Sequence, residues 1–110
     1  MGTKAEIPPG TLYMLILRSL ARLGPMHGYG IAQFIQQTSD DVLQAEEGSL
    51  YPALQRMLIK GWVTAEWKQS ANNRRARYYR LTPEGRKQMA REMSEFERVV
   101  AAIARVIEPA

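Results

Sequence analysis

Residues 48–62 read GSLYPALQRMLIKGW, and this stretch decides how the rest of the chain can be organised. Apolar residues recur in it at the three- and four-residue spacing of a helix, which predicts one buried face made of Leu50, Leu54, Met57 and Leu58. Proline is tolerated near the start of a helix, because the first backbone N–H groups have no helical partner. We therefore predict a helix capped by the Ser49 hydroxyl, with Pro52 in its first turn.

The other side of this predicted helix is polar. It carries Ser49, Pro52, Gln55, Arg56 and Lys60, with Tyr51 on its flank. Gln55 has the donor and the acceptor that pair with an adenine edge, and Arg56 suits a guanine or a phosphate. Tyr51 can contact a nucleic acid or brace the helix, and the alternative for the whole face is contact with water alone. Ile59 also falls near this side, where either a thymine methyl or a neighbouring helix would account for it.

Positive charge is concentrated around this helix. The chain carries a net charge of +4, but residues 49–91 hold ten lysines and arginines against two glutamates. The segments on either side are each slightly acidic. A basic block of this kind is typical of a surface that contacts nucleic acid, although a solvated basic face gives the same count.

Two further helices are predicted before this one. Residues 10–23 form the first, which is apolar nearly all round and is therefore expected to be buried on more than one side. Gly24 and Pro25 end it, and a second helix follows over roughly residues 28–38. Residues 39–48 are predicted to be a loop, because a Ser-Asp-Asp run breaks the helical pattern.

A β-hairpin is predicted after the helix that contains Pro52. Residues 62–68 and 76–81 are rich in β-favouring residues, and a polar, turn-forming segment separates them. Arg74 and Arg75 lie at the tip of this hairpin, and Arg77 follows them. Such arginines suit phosphates or a narrow minor groove, and the alternative is an exposed basic turn. The two tryptophans of the hairpin region are expected to pack against the core: Trp62 and Trp67.

The last predicted helix starts at Thr82-Pro83-Glu84, which combines an N-cap, a first-turn proline and a first-turn acid, and it runs to about Ile107. Apolar residues recur along it at steps of four and three, as in a heptad seam: Met89, Met93, Phe96, Val100, Ile103 and Ile107. A small domain covers only part of such a seam, so we predict a homodimer; a helix folded back on its own domain is the alternative. The interface is expected to include three residues of the first helix: Tyr13, Met14 and Leu17.

Several classes of function are disfavoured by what the sequence lacks. There is no cysteine and only one histidine, so neither a metal site nor a cofactor is predicted. No nucleotide-binding or catalytic motif occurs, and no residues assemble a nucleophile with its base, so an enzyme is not expected. The start of the chain has no secretory segment and no apolar run is long enough for a bilayer, so a cytoplasmic location without membrane contact is the expectation.

Three motifs resemble the PadR family of transcriptional regulators. They are GPMHGYGI at 24–31, EGSLYPALQRMLIKGWV at 47–63 and RRARYYRLTPEGR at 74–86, in the family's order and spacing. The short C-terminal region, with one helix, resembles the small subfamily. Gly30 departs from the family pattern, which often has an acidic residue at this position.

The resemblance implies a mainly α fold with a small β-hairpin, that is, a winged helix-turn-helix plus a C-terminal dimerisation helix. In helix-turn-helix proteins the third helix of this arrangement enters the major groove. The chain is then expected to divide into a flexible N-terminal arm (1–9), the winged helix-turn-helix domain (10–82) and the dimerisation helix (83–110).

The resemblance also implies a function. Members of the family are homodimers, usually repressors, that bind a palindromic double-stranded DNA operator in a promoter, and a small hydrophobic or phenolic effector often releases them. The expected DNA-binding residues are His27, Tyr29, Ser49, Tyr51, Pro52, Gln55, Arg56, Lys60, Arg74, Arg75 and Arg77. His27 and Tyr29 are included because helix N-termini often meet phosphate, although His27 can instead cap its helix.

Two alternatives stay open at this point. An effector pocket at the dimer interface would be lined by Tyr13, Met14, Leu17, Met93, Phe96 and Val100, but the same residues can form a plain interface core. A winged-helix module that binds another protein, without specific DNA binding, is the second interpretation of the whole chain.

Overall fold

The computed structural model describes residues 5–8, 10–69 and 71–109. These residues form four helices and five strands: β1 (Ala5–Glu6), α1 (Leu12–Leu23), β2 (Met26–His27), α2 (Gly28–Thr38), β3 (Leu43–Gln44), α3 (Glu47–Ile59), β4 (Val63–Gln69), β5 (Arg75–Leu81) and α4 (Pro83–Ile107). The predicted arm (1–4 and 9), hairpin turn (70) and last segment (110) fall partly outside the described residues. The order of the elements confirms the predicted plan of three helices, a hairpin and a final helix.

The core lies where α1, α2 and α3 meet the base of the β4–β5 hairpin. It consists of buried side chains: Ile16, Leu17, Leu20, Ile31, Ile35, Leu50, Ala53, Leu54, Met57, Val63 and Tyr79. Of the predicted inward residues of α3, Leu50, Leu54 and Met57 are at most 1% exposed, whereas Leu58 is half-buried. The core therefore holds α3 by one face and leaves its opposite face uncovered.

The start of α3 differs from the prediction. The helix begins at Glu47, and Glu46 has the extended N-cap conformation without a side-chain hydrogen bond. Ser49 thus lies inside the first turn, and Pro52 lies in the second. The proline is accommodated because the carbonyl that it leaves without a helical partner belongs to Gly48, which is exposed to water. A glutamate at the first helical position suits the helix dipole, which favours this earlier start.

The β4–β5 hairpin forms the wing. Its strands pair antiparallel, from Val63 opposite Leu81 to Gln69 opposite Arg75. This confirms the predicted hairpin, with bounds that differ by one residue. β2 adds a third, unpredicted strand on the other side of β5, which places His27 opposite Tyr78. The start of α2 is therefore tied directly to the wing.

A second, two-stranded sheet holds the N-terminal segment. β1 and β3 pair in parallel, with Ala5 opposite Leu43, and the Ala5 N–H donates to the Val42 carbonyl at 2.6 Å. The part of the predicted flexible arm that the structure describes is thus paired, and the predicted loop over 39–48 contains both a strand and the start of α3. Local patterns do not predict the pairing of β1 with β3, because the two strands lie far apart in sequence.

α4 is the longest helix and is only partly covered by its own domain. The Thr82 hydroxyl accepts from the Gly85 N–H at 2.9 Å, so the predicted cap is confirmed, and the helix ends at Ile107 as predicted. Met89 packs on the core, but the C-terminal half is largely exposed. The radius of gyration is 15.3 Å, whereas a compact chain of this length has about 13 Å. Within the described ranges, none of the helices is long and apolar enough to cross a bilayer.

Gly85 marks the point where α4 meets the wing, and it admits no side chain. A Cβ there would lie 2.1 Å from the carbonyl oxygen of Trp62, which is held by the Thr82 N–H at 3.1 Å. Because backbone must move to admit a methyl group, we expect Gly85→Ala to lower the free energy of unfolding by about 3 kcal/mol, measured by urea denaturation. Gly48→Ala is the matched control, since a Cβ there meets nothing within 4 Å. Equal midpoints for Gly85→Ala and the wild type would contradict this packing.

Candidate nucleic-acid interface

A groove of about 980 Å³ runs between α3 and the wing, and we call it the α3–wing groove. Its walls come from the start of α2, the outward side of α3 and the β4–β5 hairpin. Its lining includes seven predicted DNA-binding residues: His27, Tyr29, Tyr51, Gln55, Arg74, Arg75 and Arg77. The fold thus brings a helix N-terminus, the outward side of α3 and a basic hairpin to one surface.

His27 caps α2 at one end of this groove. Its Nδ1 accepts from the Gly30 N–H at 2.9 Å, and its ring meets the Tyr78 ring edge-on at 5.1 Å. Because Nδ1 accepts, the neutral ring carries its proton on Nε2, where it can donate to an anion. The capping role considered for this residue is therefore present, and it is compatible with a phosphate contact. Tyr29, two residues on, is 67% exposed.

Tyr51 braces α3 against the start of α2. A Cβ at Gly28 would lie 2.7–2.8 Å from the ring and hydroxyl of Tyr51, so only glycine leaves room for this ring. Burial, reinforced by Glu47 and Tyr79, raises the pKa of the Tyr51 hydroxyl above its ordinary value. The hydroxyl consequently stays protonated and can donate a hydrogen bond. Tyr51 is still 41% exposed, so bracing leaves part of it accessible from the groove.

Gln55 and Arg77 join α3 to the wing. Arg77 Nη1 donates to Gln55 Oε1 at 3.2 Å, and the guanidinium lies 6.0 Å from the centre of the Tyr79 ring. Tyr79 belongs to the buried core, so it gives Arg77 a fixed support. Arg77 is half-buried as a result, whereas Arg74 and Arg75, nearer the hairpin tip, are exposed.

Arg56 and Lys60 lie on the other flank of α3, towards α1. Arg56 Nε donates to the Tyr13 hydroxyl, and its guanidinium lies 5.6 Å from the Tyr13 ring. Tyr13 in turn meets Trp62 edge-on at 5.7 Å, and the Lys60 ammonium lies 5.3 Å from the Trp62 ring. Arg56 and Lys60, two of the predicted DNA-binding residues, therefore lie outside the lining of the α3–wing groove. Arg56 is held there by Tyr13, which packs against Trp62.

Ser49, Pro52 and Ile59 occupy further exposed positions of α3. Ile59 is 85% exposed, so no described element of the chain covers it. The neighbouring helix considered for this residue is therefore not found among the described elements.

Trp67 is exposed at the wing, where the sequence predicts packing against the core. It is 58% exposed, and the Arg75 guanidinium lies 5.6 Å from its ring. Val63, Ala65 and Trp67 alternate along β4, but they pass from buried through half-buried to exposed, because the core ends before the strand does. The prediction is wrong for Trp67, which lines the α3–wing groove. It holds for Trp62, which packs partly buried against the core.

A second groove, of about 990 Å³, lies between the start of α1 and α4, and we call it the α1–α4 groove. Three residues of the predicted effector pocket line it: Tyr13, Met14 and Phe96. Charged residues of α4 also border it: Arg91, Glu92 and Glu95. Leu17 is a correction, because it is fully buried in the core and has no surface left for a partner or a ligand.

The side chains of the predicted dimer seam become more exposed along α4. Met89 and Met93 are half-buried against their own domain. Beyond them, Phe96, Val100, Ile103 and Ile107 are 42%, 45%, 53% and 75% exposed. The exposed apolar face therefore begins in the middle of α4 and continues to its end.

Comparison with a family model identifies the family of this chain. Residues 16–91 match the family described as the transcriptional regulator PadR-like family. An uncharacterised protein of Lysinibacillus sphaericus is 27% identical over 96 residues, 87% of each chain. The structure of a transcriptional regulator from Clostridium thermocellum superposes with a TM-score of 0.82 at 28% identity, covering 90% of this chain and 95% of the other.

A PadR family transcription regulator from Clostridium difficile gives a TM-score of 0.76 at 27% identity, covering 90% of this chain and all of the other. The matched residues run from the core of α1 through the α3–wing groove to the first half of α4. They include all three sequence motifs and most of the winged helix-turn-helix, from residue 16 of α1 onwards. This chain therefore belongs to the transcriptional regulator PadR-like family.

Proposed function

We propose that the protein is a homodimeric transcriptional repressor that binds a palindromic double-stranded DNA operator in a promoter. The observation that carries the proposal is the α3–wing groove. It combines the outward side of α3 with Arg74, Arg75 and Arg77 of the wing. Membership of the family supports a role in transcriptional regulation.

In this proposal α3 enters the major groove of the duplex and the wing lies along the adjacent backbone. Gln55 faces base edges, and Arg74 and Arg75 contact phosphates or a narrow minor groove. His27 and Tyr29 stand at the N-terminus of α2, where backbone N–H groups favour a phosphate. Arg56, held by Tyr13, serves the backbone on the opposite flank of α3, and so does Lys60.

The proposed dimer forms through the exposed half of α4. Covering the accessible apolar side chains on this helix face stabilises the protein. In a two-fold pairing, the same residues of each copy cover those of the other. Two copies of α3 then face the DNA with two-fold symmetry, which is why the operator is expected to be palindromic.

A small hydrophobic or phenolic effector, in this proposal, binds in the α1–α4 groove and releases the DNA. The groove is apolar at Met14 and Phe96, and Tyr13 offers a hydroxyl. Tyr13 also holds Arg56 of α3, so a ligand that displaces the Tyr13 ring would alter the flank of α3. A plain dimer core is the alternative use of the same residues.

The proposal is tested by fluorescence anisotropy with the protein and a duplex from the region upstream of its own gene. We expect preference for this duplex over random sequence, together with a steep loss of affinity as salt rises. Six phosphate contacts correspond to roughly a thousandfold loss between 50 and 200 mM salt. A protein that binds both duplexes equally is not a specific regulator. One that binds neither fits the alternative, a winged-helix module that binds another protein.

A further inference from the structure

Arg77 contacts the predicted base-reading residue of α3 and is itself held in place. It lies in the strand β5, not at the hairpin tip, and is half-buried. It donates to Gln55 Oε1 at 3.2 Å, while Tyr79 supports its guanidinium from the core side. Arg77 is therefore positioned by two neighbours rather than projecting towards solvent like the exposed Arg75.

This contact fixes which way the Gln55 amide points. An arginine side chain has five N–H donors and no acceptor, so only the amide oxygen of Gln55 can face it. The oxygen of the amide is consequently turned towards the wing, and the NH₂ group is turned away from it. Gln55 is an exposed residue of α3, so its NH₂ group remains accessible from outside the chain.

The orientation changes which base edge Gln55 suits. Reading adenine with both amide atoms requires the oxygen to accept from the N6 amino group while the NH₂ donates to N7. Because its oxygen is turned towards Arg77 and the wing, Gln55 presents its NH₂ group, with two donors, to the duplex. Guanine presents two acceptors side by side in the major groove, N7 and O6, and is the base that best satisfies a pair of donors.

We propose that Arg77 determines sequence specificity by holding Gln55 as a hydrogen-bond donor, so that Gln55 selects guanine rather than adenine in each half-site. Arg77 is a positioning residue in this role, because it acts on the base through Gln55. The inference rests on the proposed function, since it requires α3 to lie in the major groove of a duplex.

The test is selection from a randomised duplex library, followed by affinities for duplexes that carry each base at each half-site position. The position read by Gln55 is the one whose preference disappears in Gln55→Ala. There we expect the wild type to favour guanine over adenine by about fivefold or more. Arg77→Ala frees the amide to turn and is expected to shift that position towards adenine. Gln55→Glu leaves only acceptors and is expected to shift it towards cytosine.

Arg75→Ala is the matched control, because it removes the same charge from the same strand without touching Gln55. It is expected to weaken all duplexes alike and to keep the guanine preference. An adenine preference in the wild type, or an unchanged guanine preference in Arg77→Ala, overturns the role of Arg77 while leaving the regulator intact. A wild type that selects no sequence at all overturns the proposed function as well.

Discussion

Replacing both Val100 and Ile103 with glutamate is expected to leave the protein monomeric at micromolar concentration and to weaken operator binding by about a hundredfold or more. These side chains are 45% and 53% exposed in the single chain, so the charges cost little in the monomer. In a dimer they would be buried opposite their own copies, and unpaired buried charge is strongly destabilising. Sedimentation velocity measures the first effect, and fluorescence anisotropy measures the second.

Ala101→Glu is the control for this variant. Ala101 is exposed on α4 between the two substituted positions, but it faces away from the apolar seam. It is expected to leave both the dimer and the DNA affinity unchanged. A double variant that still sediments as a dimer would show that α4 does not form the interface.

The double variant Arg74→Ala/Arg75→Ala is expected to lose roughly a hundredfold in operator affinity, on the basis of about 1.5 kcal/mol for each charged contact. Both arginines are exposed near the tip of the wing. Because each phosphate contact releases counterions, the slope of log affinity against log salt should also fall by about two. Titrations at four salt concentrations give both quantities.

Arg98→Ala/Arg105→Ala removes the same charge from an exposed part of α4 far along the chain and serves as the control. It is expected to leave the salt slope almost unchanged. If the two double variants lose affinity equally, the effect is one of net charge, and the wing has no direct contact with the duplex.

Helix ends with strong local signals could be predicted from the sequence. Thr82 and Pro83 specify the start of α4 by themselves, since the cap, the proline and the following turn are all local. Ser49 has the chemistry of a cap and misled the prediction for α3, because the chain is already helical two residues earlier. The earlier start is favoured by Glu47, whose charge suits the helix dipole at the first helical position.

The orientation of the candidate site residues was less accessible to sequence analysis. The side chain of Arg56 is set by Tyr13, which lies 43 residues away in the chain. The alternation along β4 assigns Trp67 to a face of the strand but does not say where the core beneath that face ends. Periodicity predicts which face of a helix or strand a side chain lies on. The surroundings of Arg56 and Trp67 depend instead on how close other elements come to that face.

The two tryptophans of the chain lie near different grooves. Trp62 touches Tyr13 beside the α1–α4 groove, and Trp67 lines the α3–wing groove beside Arg75. The protein therefore carries one tryptophan fluorophore near each groove. With Trp67→Phe, the remaining emission reports on the surroundings of Trp62 near α1, and with Trp62→Phe it reports on the wing. The proposed effector binding and the proposed duplex binding can therefore be followed separately without an added label.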